Sequence, residues 1–442
     1  MNRLDLFLEH FPAIHLIGDP IGSLGPLAAR RGDVAVVRVG PRVVALVSHP
    51  DHVREVLSVH RRSVSKGGTV AGLRLLLGDG IATTDGPQHH ERRRTLAQAF
   101  TSDRLPGYAT DIVDLTADSL AGWTDGEVRH VHADMLALSL RIASRAFLGI
   151  DPGAATHDLV ESTDVLAGLS GLASLPGAES LARLPFGASR RFRESRDGLR
   201  RGVDRLIDAH AIQAAGESDP DVMCLVAEQA RVAHGAVGPA WARDEAMTLL
   251  VAGHVTVASA MSWTLWLLGR DRAWASRVRA EIADALGDRL PTAADVPRMP
   301  IVRAALSEAM RLYPPAWAIG REVTEPIVVG GRRLACGTVV IVSPWVLGRD
   351  PRWFPDPERF DPGRWLDERT AAVPRHAYIP FGSGPRRCLG ESFAWQEGIL
   401  VLATVLRDWE FEPLHDVPPR PRAEITLSPS DGAPMRVRGV RR

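Results

Sequence analysis

The sequence predicts a mainly α-helical protein with small β-sheets near its two ends. Strand-like alternation of apolar residues occurs at 34–47 around a turn at Gly40, and it returns at 327–342. Between these segments, from about residue 92 to about residue 310, helical periodicity dominates, and Gly and Pro stand mainly at breaks. This order predicts a helical core flanked by short sheets.

The 442 residues are expected to form one domain. The chain exceeds the usual size of a domain, but no flexible linker, charged block, low-complexity run or repeat divides it. A hydrophobic content of 45% is sufficient for a large core. We expect a single domain over 1–442, with a β-rich N-terminal part at about 30–60, a helical core at about 85–320 and C-terminal β segments at about 321–442.

Charge and cysteine content exclude several classes of protein. The formal net charge of zero argues against a nucleic-acid-binding protein, and Lys66 is the only lysine among 53 basic residues. Three cysteines are too few and too far apart for a disulfide framework or a zinc cluster. The first ten residues contain neither a cleavable signal nor the apolar run of a membrane anchor. A cytoplasmic protein without a membrane anchor is expected.

A glycine-rich loop at 381–390 carries the clearest chemical signal. It places Cys388 just before an apolar helix, where the helix dipole favours a thiolate that can bind a metal. Arg386 is placed to meet an anionic edge of a bound cofactor. The alternative is a buried free cysteine in a glycine-rich turn.

The spacing of Phe381, Gly384, Arg386, Cys388 and Gly390 fits the pattern Phe-x-x-Gly-x-Arg-x-Cys-x-Gly. It resembles the haem-binding loop of the cytochrome P450 superfamily, and the resemblance covers roughly residues 30–438. It implies a single P450-type domain of the soluble bacterial branch. It also implies haem b (iron protoporphyrin IX) with the Cys388 thiolate as its axial ligand.

Two further segments match cofactor-binding parts of that superfamily. His89 and Arg93 are four residues apart and share one helix face, and the resemblance implies that they bind the haem propionates. Arg321 resembles another propionate ligand. Without the resemblance, a solvated basic helix face is the simpler reading.

A charged cluster is expected to support the haem loop. Glu308 and Arg311 lie three residues apart on a predicted helix that ends at Pro314. In isolation they would form an ordinary surface pair. Arg359, in the segment Pro-Glu-Arg-Phe, matches the arginine that completes a buried Glu–Arg–Arg cluster in the superfamily, so we assign all three residues a structural role.

The apolar helix around 249–260 resembles the helix that crosses the distal haem face. Gly253 is expected to allow close approach to the porphyrin, and Thr256 to bond a helix carbonyl and open a groove for oxygen. The alternative is an ordinary buried helix. Val255 occupies the position of the usual acid, so proton delivery is expected through Thr256 and water, with little part for His254.

The resemblance also implies a mostly apolar substrate pocket. Arg74 beside it is either a carboxylate anchor or, as we favour, a solvent-facing residue. We expect a lipophilic secondary metabolite or terpenoid as substrate, with a fatty acid as the second choice. The expected pocket residues are Leu75, Leu76, Leu77, Leu249, Ala252, Ala316, Trp317, Ala318 and Ile319.

These expectations together indicate a monooxygenase that uses dioxygen to hydroxylate or epoxidise its substrate. Electrons are expected from separate proteins, a ferredoxin or flavodoxin and its reductase, docking on a basic patch of Arg92, Arg94 and Arg387. Alternatives are a haem-thiolate enzyme of oxidative coupling or rearrangement, which Val255 makes conceivable, and a haem sensor without turnover.

Overall fold

The computed structural model describes residues 18–173, 187–213, 222–234 and 238–440. The helices are α1 (Pro20–Arg31), α2 (Pro50–Arg54), α3 (Ala71–Leu77), α4 (Gly86–Ala97), α5 (Leu105–Leu120), α6 (Val131–Leu148), α7 (Thr156–Ala173), α8 (Gly187–Gln213), α9 (Val222–His234), α10 (Gly238–Arg270), α11 (Arg272–Leu286), α12 (Pro300–Leu312), α13 (Pro344–Leu347), α14 (Arg369–Ala372) and α15 (Glu391–Asp408).

The strands of the described residues are short and form four small sheets. They are β1 (Val34–Val39), β2 (Arg42–Val47), β3 (Val64–Ser65), β4 (Val128–His130), β5 (Ile319–Val323), β6 (Ile327–Val329), β7 (Arg332–Leu334), β8 (Val339–Val342), β9 (Trp409–Pro413), β10 (Pro421–Ala423), β11 (Leu427–Pro429) and β12 (Pro434–Gly439). The predicted class, mainly helical with small sheets, is therefore confirmed.

The largest sheet joins the N-terminal part of the chain to the segment 319–342. Its order is β1-β2-β8-β5-β3, in which β1 and β2 form the predicted antiparallel hairpin with Val34 opposite Val47. Strand β8 then pairs parallel to β2, with Val44 opposite Val339, although nearly 300 residues separate them in sequence. Alternating valine and isoleucine side chains bury one face of this sheet in a core of its own.

The helical core is organised around α10, which has 33 residues and is apolar on all sides. It packs against α6, α12 and α15, so most of its side chains are buried. Among the described residues, its segment Ala240–Arg270 is the one helix long and apolar enough to cross a membrane, and 83% of the apolar window is buried inside the protein. This pattern is typical of the central helix of a large domain.

Candidate active site

A cavity of about 590 Å³ lies between α10, α12, the end of β5 and the cysteine loop. Its wall is mostly apolar and includes Leu76, Leu249, Ala252, Ala316 and Ile319, all predicted for the pocket. Cys388 lies in the wall, and basic side chains gather around another part of it. The cavity therefore combines an apolar chamber with one thiol and a localised positive charge.

The loop that carries Cys388 is held by its backbone. The N–H of Cys388 donates to the carbonyl of Phe381 at 2.9 Å, and Gly382 and Gly384 both have positive φ, of 72° and 73°. A Cβ on Gly384 would lie 2.1 Å from the carbonyl oxygen of Leu57, so no other residue fits there without backbone movement. Gly390 then leads directly into α15.

The thiol of Cys388 is accessible, but it faces the cavity rather than bulk solvent. The sequence analysis expected a lowered pKa at the start of α15, and that expectation is wrong for the chain by itself. Burial raises the pKa of Cys388, and this outweighs the hydrogen bond from the Gly390 N–H, which lowers it. A cation bound in the cavity would supply the missing stabilisation of the thiolate.

Several basic side chains line the cavity near Asp85, and the resemblance had predicted four of them. Arg386 Nε donates to Asp85 Oδ1 at 2.8 Å, and the N–H of Lys66 donates to Asp85 Oδ2 at 2.5 Å. Arg321 is buried, and desolvation lowers its pKa to about 10. His89 has a pKa lowered to about 4 by burial and by nearby cations. Arg93 also lines the cavity.

Lys66 was not singled out by sequence analysis, although being the only lysine was a usable signal. Its ammonium group is buried at the cavity wall and donates to the Ile81 carbonyl at 2.7 Å. Desolvation first, then repulsion from Arg321 and Arg386, lowers its pKa to about 8.

This arrangement fits the edge of a haem. Among the described residues, Asp85 is the carboxylate hydrogen-bonded to the basic cluster, and Glu245, which also acts on the cluster, is already paired with Arg92. Burying several cations without matching anions is costly, so the cluster favours a ligand that brings carboxylates of its own. Haem does so through its two propionates, while its flat apolar ring suits the wall beside Cys388.

Helix α10 brings the predicted threonine to the cavity wall. Thr256 Oγ1 donates to the carbonyl of Ala252 at 2.8 Å, and both residues line the cavity. Gly253 also lines it, but its missing side chain has another role. A Cβ there would lie 2.9 Å from Cε2 of Phe147, so the glycine lets α6 pack closely. The close packing of α6 is thus a second role for Gly253, beside the expected approach to the porphyrin, which stays a prediction.

Val255 and His254 point into the core instead of the cavity. Both are buried, and neither is part of the cavity wall. His254 Nδ1 donates to the Leu250 carbonyl at 2.7 Å, and burial lowers its pKa to about 4. An acid at position 255 would therefore be placed in apolar surroundings.

The buried charged cluster contains Arg364, where sequence analysis expected Arg359. Glu308 accepts hydrogen bonds from Arg311 Nη2 at 2.8 Å, Arg364 Nε at 3.2 Å and Trp365 Nε1 at 2.9 Å. Arg359 has an exposed side chain and contributes its backbone carbonyl, which accepts from Arg311 Nη2 at 3.1 Å. The turn at 356–361 carries this carbonyl inward and the guanidinium outward.

Two other expectations are also corrected. Trp317 does not line the cavity, because its ring packs beside the large sheet and its Nε1 donates to the Glu424 carbonyl at 2.9 Å. Arg92 does not belong to an exposed basic patch, because it is buried and paired with Glu245. Arg94 is exposed as expected, and Arg387 is half-exposed and bonded to Glu391.

Of the other residues predicted to line the cavity, some are in its wall and some are not. Leu76 and Ala318 line it, whereas Leu75 and Leu77 do not. Arg74 is half-exposed, pairs with Asp79 and lies outside the wall. Sequence analysis missed several wall residues that only the packing brings there, among them Leu73, Phe147, Phe192, Met310, Glu424 and Ile425.

Comparison with known proteins agrees with this site. The family model for cytochrome P450 matches residues 7–142 and 179–433. Among curated proteins, cyclooctatin synthase of Streptomyces melanosporofaciens is 36% identical, over 94% of this chain and 91% of the relative. Cyclooctat-9-en-7-ol 5-monooxygenase of the same organism is 33% identical, over 89% and 86%. Pentalenene oxygenase of Streptomyces avermitilis is 32% identical, over 92% and 90%.

A solved structure gives the same result. CYP175A1 from Thermus thermophilus superposes with a TM-score of 0.77 at 30% identity, covering 98% of this chain and all of that one. Family and geometry together account for the lone thiol, the basic cluster and the apolar chamber. The chain belongs to the cytochrome P450 family, and it binds haem with the Cys388 thiolate as axial ligand.

Proposed function

We propose that this monooxygenase hydroxylates or epoxidises a lipophilic cyclic terpenoid of secondary metabolism. The observation that carries the proposal is the apolar chamber beside Cys388, formed by residues of α3, α7, α10 and the segment after α12. An apolar wall orients a hydrophobic molecule and excludes water from it. Haem held by Cys388 supplies the activation of dioxygen.

The chain's own residues have separable tasks in this proposal. Lys66, Arg321 and Arg386 hold the propionate edge, with His89 and Arg93 beside them. The Thr256 hydroxyl, fixed on the Ala252 carbonyl, holds a proton at the cavity wall where oxygen reacts. Water reaching this hydroxyl would complete the proton path, since the buried His254 and Val255 face elsewhere.

A terpenoid is favoured over a fatty acid. A fatty acid would need a cation to bind its carboxylate away from the haem, and Arg74 lies outside the wall and is bonded to Asp79 and the Thr83 carbonyl. Two of the relatives bear terpenoid names, cyclooctat-9-en-7-ol 5-monooxygenase and pentalenene oxygenase. Oxidative coupling or rearrangement had rested on Val255, and its side chain lies in the core.

We propose that electrons come from a ferredoxin or flavodoxin and its reductase, docking near Arg94 and Arg387. We also propose the cytoplasm as its location. Three free cysteines, Cys224, Cys336 and Cys388, suit a reducing compartment.

The test of the function is a panel of cyclic terpenes and fatty acids. Terpenes are expected to shift the haem spin state on binding and to give products that contain one atom of labelled dioxygen. A preference for fatty acids would overturn the substrate class. Turnover without label in the product would replace monooxygenation by coupling or rearrangement. A reduced carbon monoxide complex without the thiolate spectrum would contradict ligation by Cys388.

A further inference from the structure

One carboxylate interrupts the apolar part of the cavity. Glu424 lies in the turn between β10 and β11, lines the cavity and has a side chain only 15% exposed. It is the single acidic residue that the described chain contributes to the wall. Since an acid is costly to bury in such surroundings, its presence calls for a specific reason.

The turn that carries Glu424 is anchored on several sides. The Glu424 carbonyl accepts from Trp317 Nε1 at 2.9 Å, and its N–H donates to the Thr426 carbonyl at 3.1 Å. The neighbouring Leu427 carbonyl accepts from Trp263 Nε1 of α10 at 2.9 Å. Glu424 is therefore held in a defined position against the cavity.

The charge of Glu424 is partly compensated, but its hydrogen-bonding capacity is not. Arg422 Nε lies 3.1 Å from Glu424 Oε2, without the alignment of a hydrogen bond, while Arg422 Nη2 donates to Asp164 at 2.9 Å. No described residue donates a hydrogen bond to the Glu424 carboxylate. Burial raises its pKa to about 7, against the effect of Arg422. A buried acceptor of this kind is normally satisfied by a donor.

We propose that Glu424 accepts a hydrogen bond from a hydroxyl group of the substrate, so that the enzyme oxidises a terpenoid that is already an alcohol. The inference rests on the proposed function and specifies the substrate within it. A neutral donor fits better than an ammonium group, because Arg422 already provides a cation beside the carboxylate. A second cation would be repelled by it.

This recognition places the enzyme in a reaction sequence. Its substrate must come from a step that leaves a hydroxyl on the hydrocarbon skeleton. Either a cyclisation that ends by capture of water or an earlier hydroxylation would supply it. The product then carries at least two oxygenated carbons.

The test compares each alcohol with the hydrocarbon of the same skeleton. Suitable probes are cyclooctat-9-en-7-ol and cedrol, each measured with its deoxygenated counterpart through the haem spin-state change. The wild-type enzyme is expected to bind at least one alcohol about tenfold more tightly than its hydrocarbon, which is the effect of one hydrogen bond. Glu424→Leu should abolish that preference, so that alcohol and hydrocarbon bind within about twofold of each other.

Two variants separate the hydrogen bond from other effects. Glu424→Gln keeps an acceptor oxygen and should retain part of the preference. Asp164→Asn removes the other carboxylate at Arg422 and should leave the preference unchanged, because Asp164 is not part of the wall.

Each outcome has a distinct meaning. Equal binding of alcohol and hydrocarbon in the wild type, or an alcohol preference that survives Glu424→Leu, overturns the inference and leaves terpenoid oxidation intact. Tighter binding of a terpenoid amine than of the alcohol also overturns it. If neither the alcohols nor their hydrocarbons bind, the proposed terpenoid oxidation fails, and this inference fails with it.

Discussion

Glu308 and Arg364 form an ion pair across 56 residues of sequence, with Nε and Oε1 3.2 Å apart and both side chains buried. Removing one partner of such a pair leaves an uncompensated charge inside the protein. We expect Arg364→Met to lower the free energy of unfolding by about 3–5 kcal/mol. Arg359→Met is the matched control, because that side chain is exposed.

Urea unfolding of the haem-bound protein measures both variants. The control should stay within about 0.5 kcal/mol of the wild type. If Arg359→Met were the more damaging of the two, the assignment of the cluster to Arg364 would be wrong.

The Thr256 hydroxyl is expected to control how reducing equivalents are used. Thr256→Ala removes the hydroxyl that donates to the Ala252 carbonyl. A larger share of the electrons from NADPH should then form hydrogen peroxide, and a smaller share should form product. Thr256→Ser keeps the hydroxyl and should preserve most of the coupling. The measurement is the ratio of peroxide and product to NADPH consumed, and an unchanged ratio in Thr256→Ala would contradict the role.

His254 should make the protein sensitive to acid. Burial lowers its pKa from 6.5 to about 4, and the buried His132 nearby behaves likewise. Between those pH values the unfolded chain binds a proton that the folded chain does not, so the free energy of unfolding falls as the pH falls.

Between pH 7.5 and pH 5 the wild type should lose free energy of unfolding, and replacing His254 by leucine should reduce this loss by about 2 kcal/mol. His157→Gln, at an exposed histidine of α7, should leave the loss unchanged. Urea unfolding at the two pH values measures this loss. If the wild type and His254→Leu lost the same free energy of unfolding, His254 would not be a source of the acid sensitivity.

Glu397 on α15 should make the protein less stable at alkaline pH, which is the opposite of the effect of His254. It is fully buried, neither oxygen has a well-formed hydrogen bond among the described residues, and desolvation raises its pKa to about 8 against a small opposing effect of Ser139. The folded chain then holds a proton that the unfolded chain loses above about pH 4.5, so stability falls as the pH rises towards 8.

Glu397→Gln is neutral at every pH. We expect the free energy of unfolding of this variant to exceed that of the wild type by about 1–3 kcal/mol at pH 8.5 and by much less at pH 5. The gain is measured by thermal or urea unfolding at both values. A variant that is less stable than the wild type at pH 8.5 would show that the carboxylate is satisfied in the folded protein.

Electron transfer from a ferredoxin should weaken with salt. Arg94 and Arg387 remain as exposed or half-exposed cations near the cysteine loop, whereas Arg92 is withdrawn into its pair with Glu245. Arg94→Gln should therefore slow reduction at low ionic strength, and Arg92→Gln should act on stability instead. Stopped-flow reduction at increasing salt provides the test, and a rate independent of salt would exclude docking by charge.

Local pattern was sufficient for the helical class, the hairpin at 34–47 and the cysteine loop, because each depends on residues close in sequence. It failed where burial decides between neighbours. Arg359 and Arg364 differ only in which way a turn directs them, and Trp317 faces the sheet although its neighbours face the cavity. Glu424 could not be found, since only the fold brings β10 and β11 to the wall.

The contact between Gly384 and the carbonyl of Leu57 has a consequence for biosynthesis. Leu57, which the cysteine loop contacts, lies in the first part of the chain, and the loop itself is made about 330 residues later. Leu57 is buried together with Val323, Val340 and Ile379, so the surface that receives the loop also needs residues that are made late. The surface for the loop is therefore complete only shortly before the loop itself leaves the ribosome. Stable retention of haem must wait until the last tenth or so of the polypeptide has been synthesised.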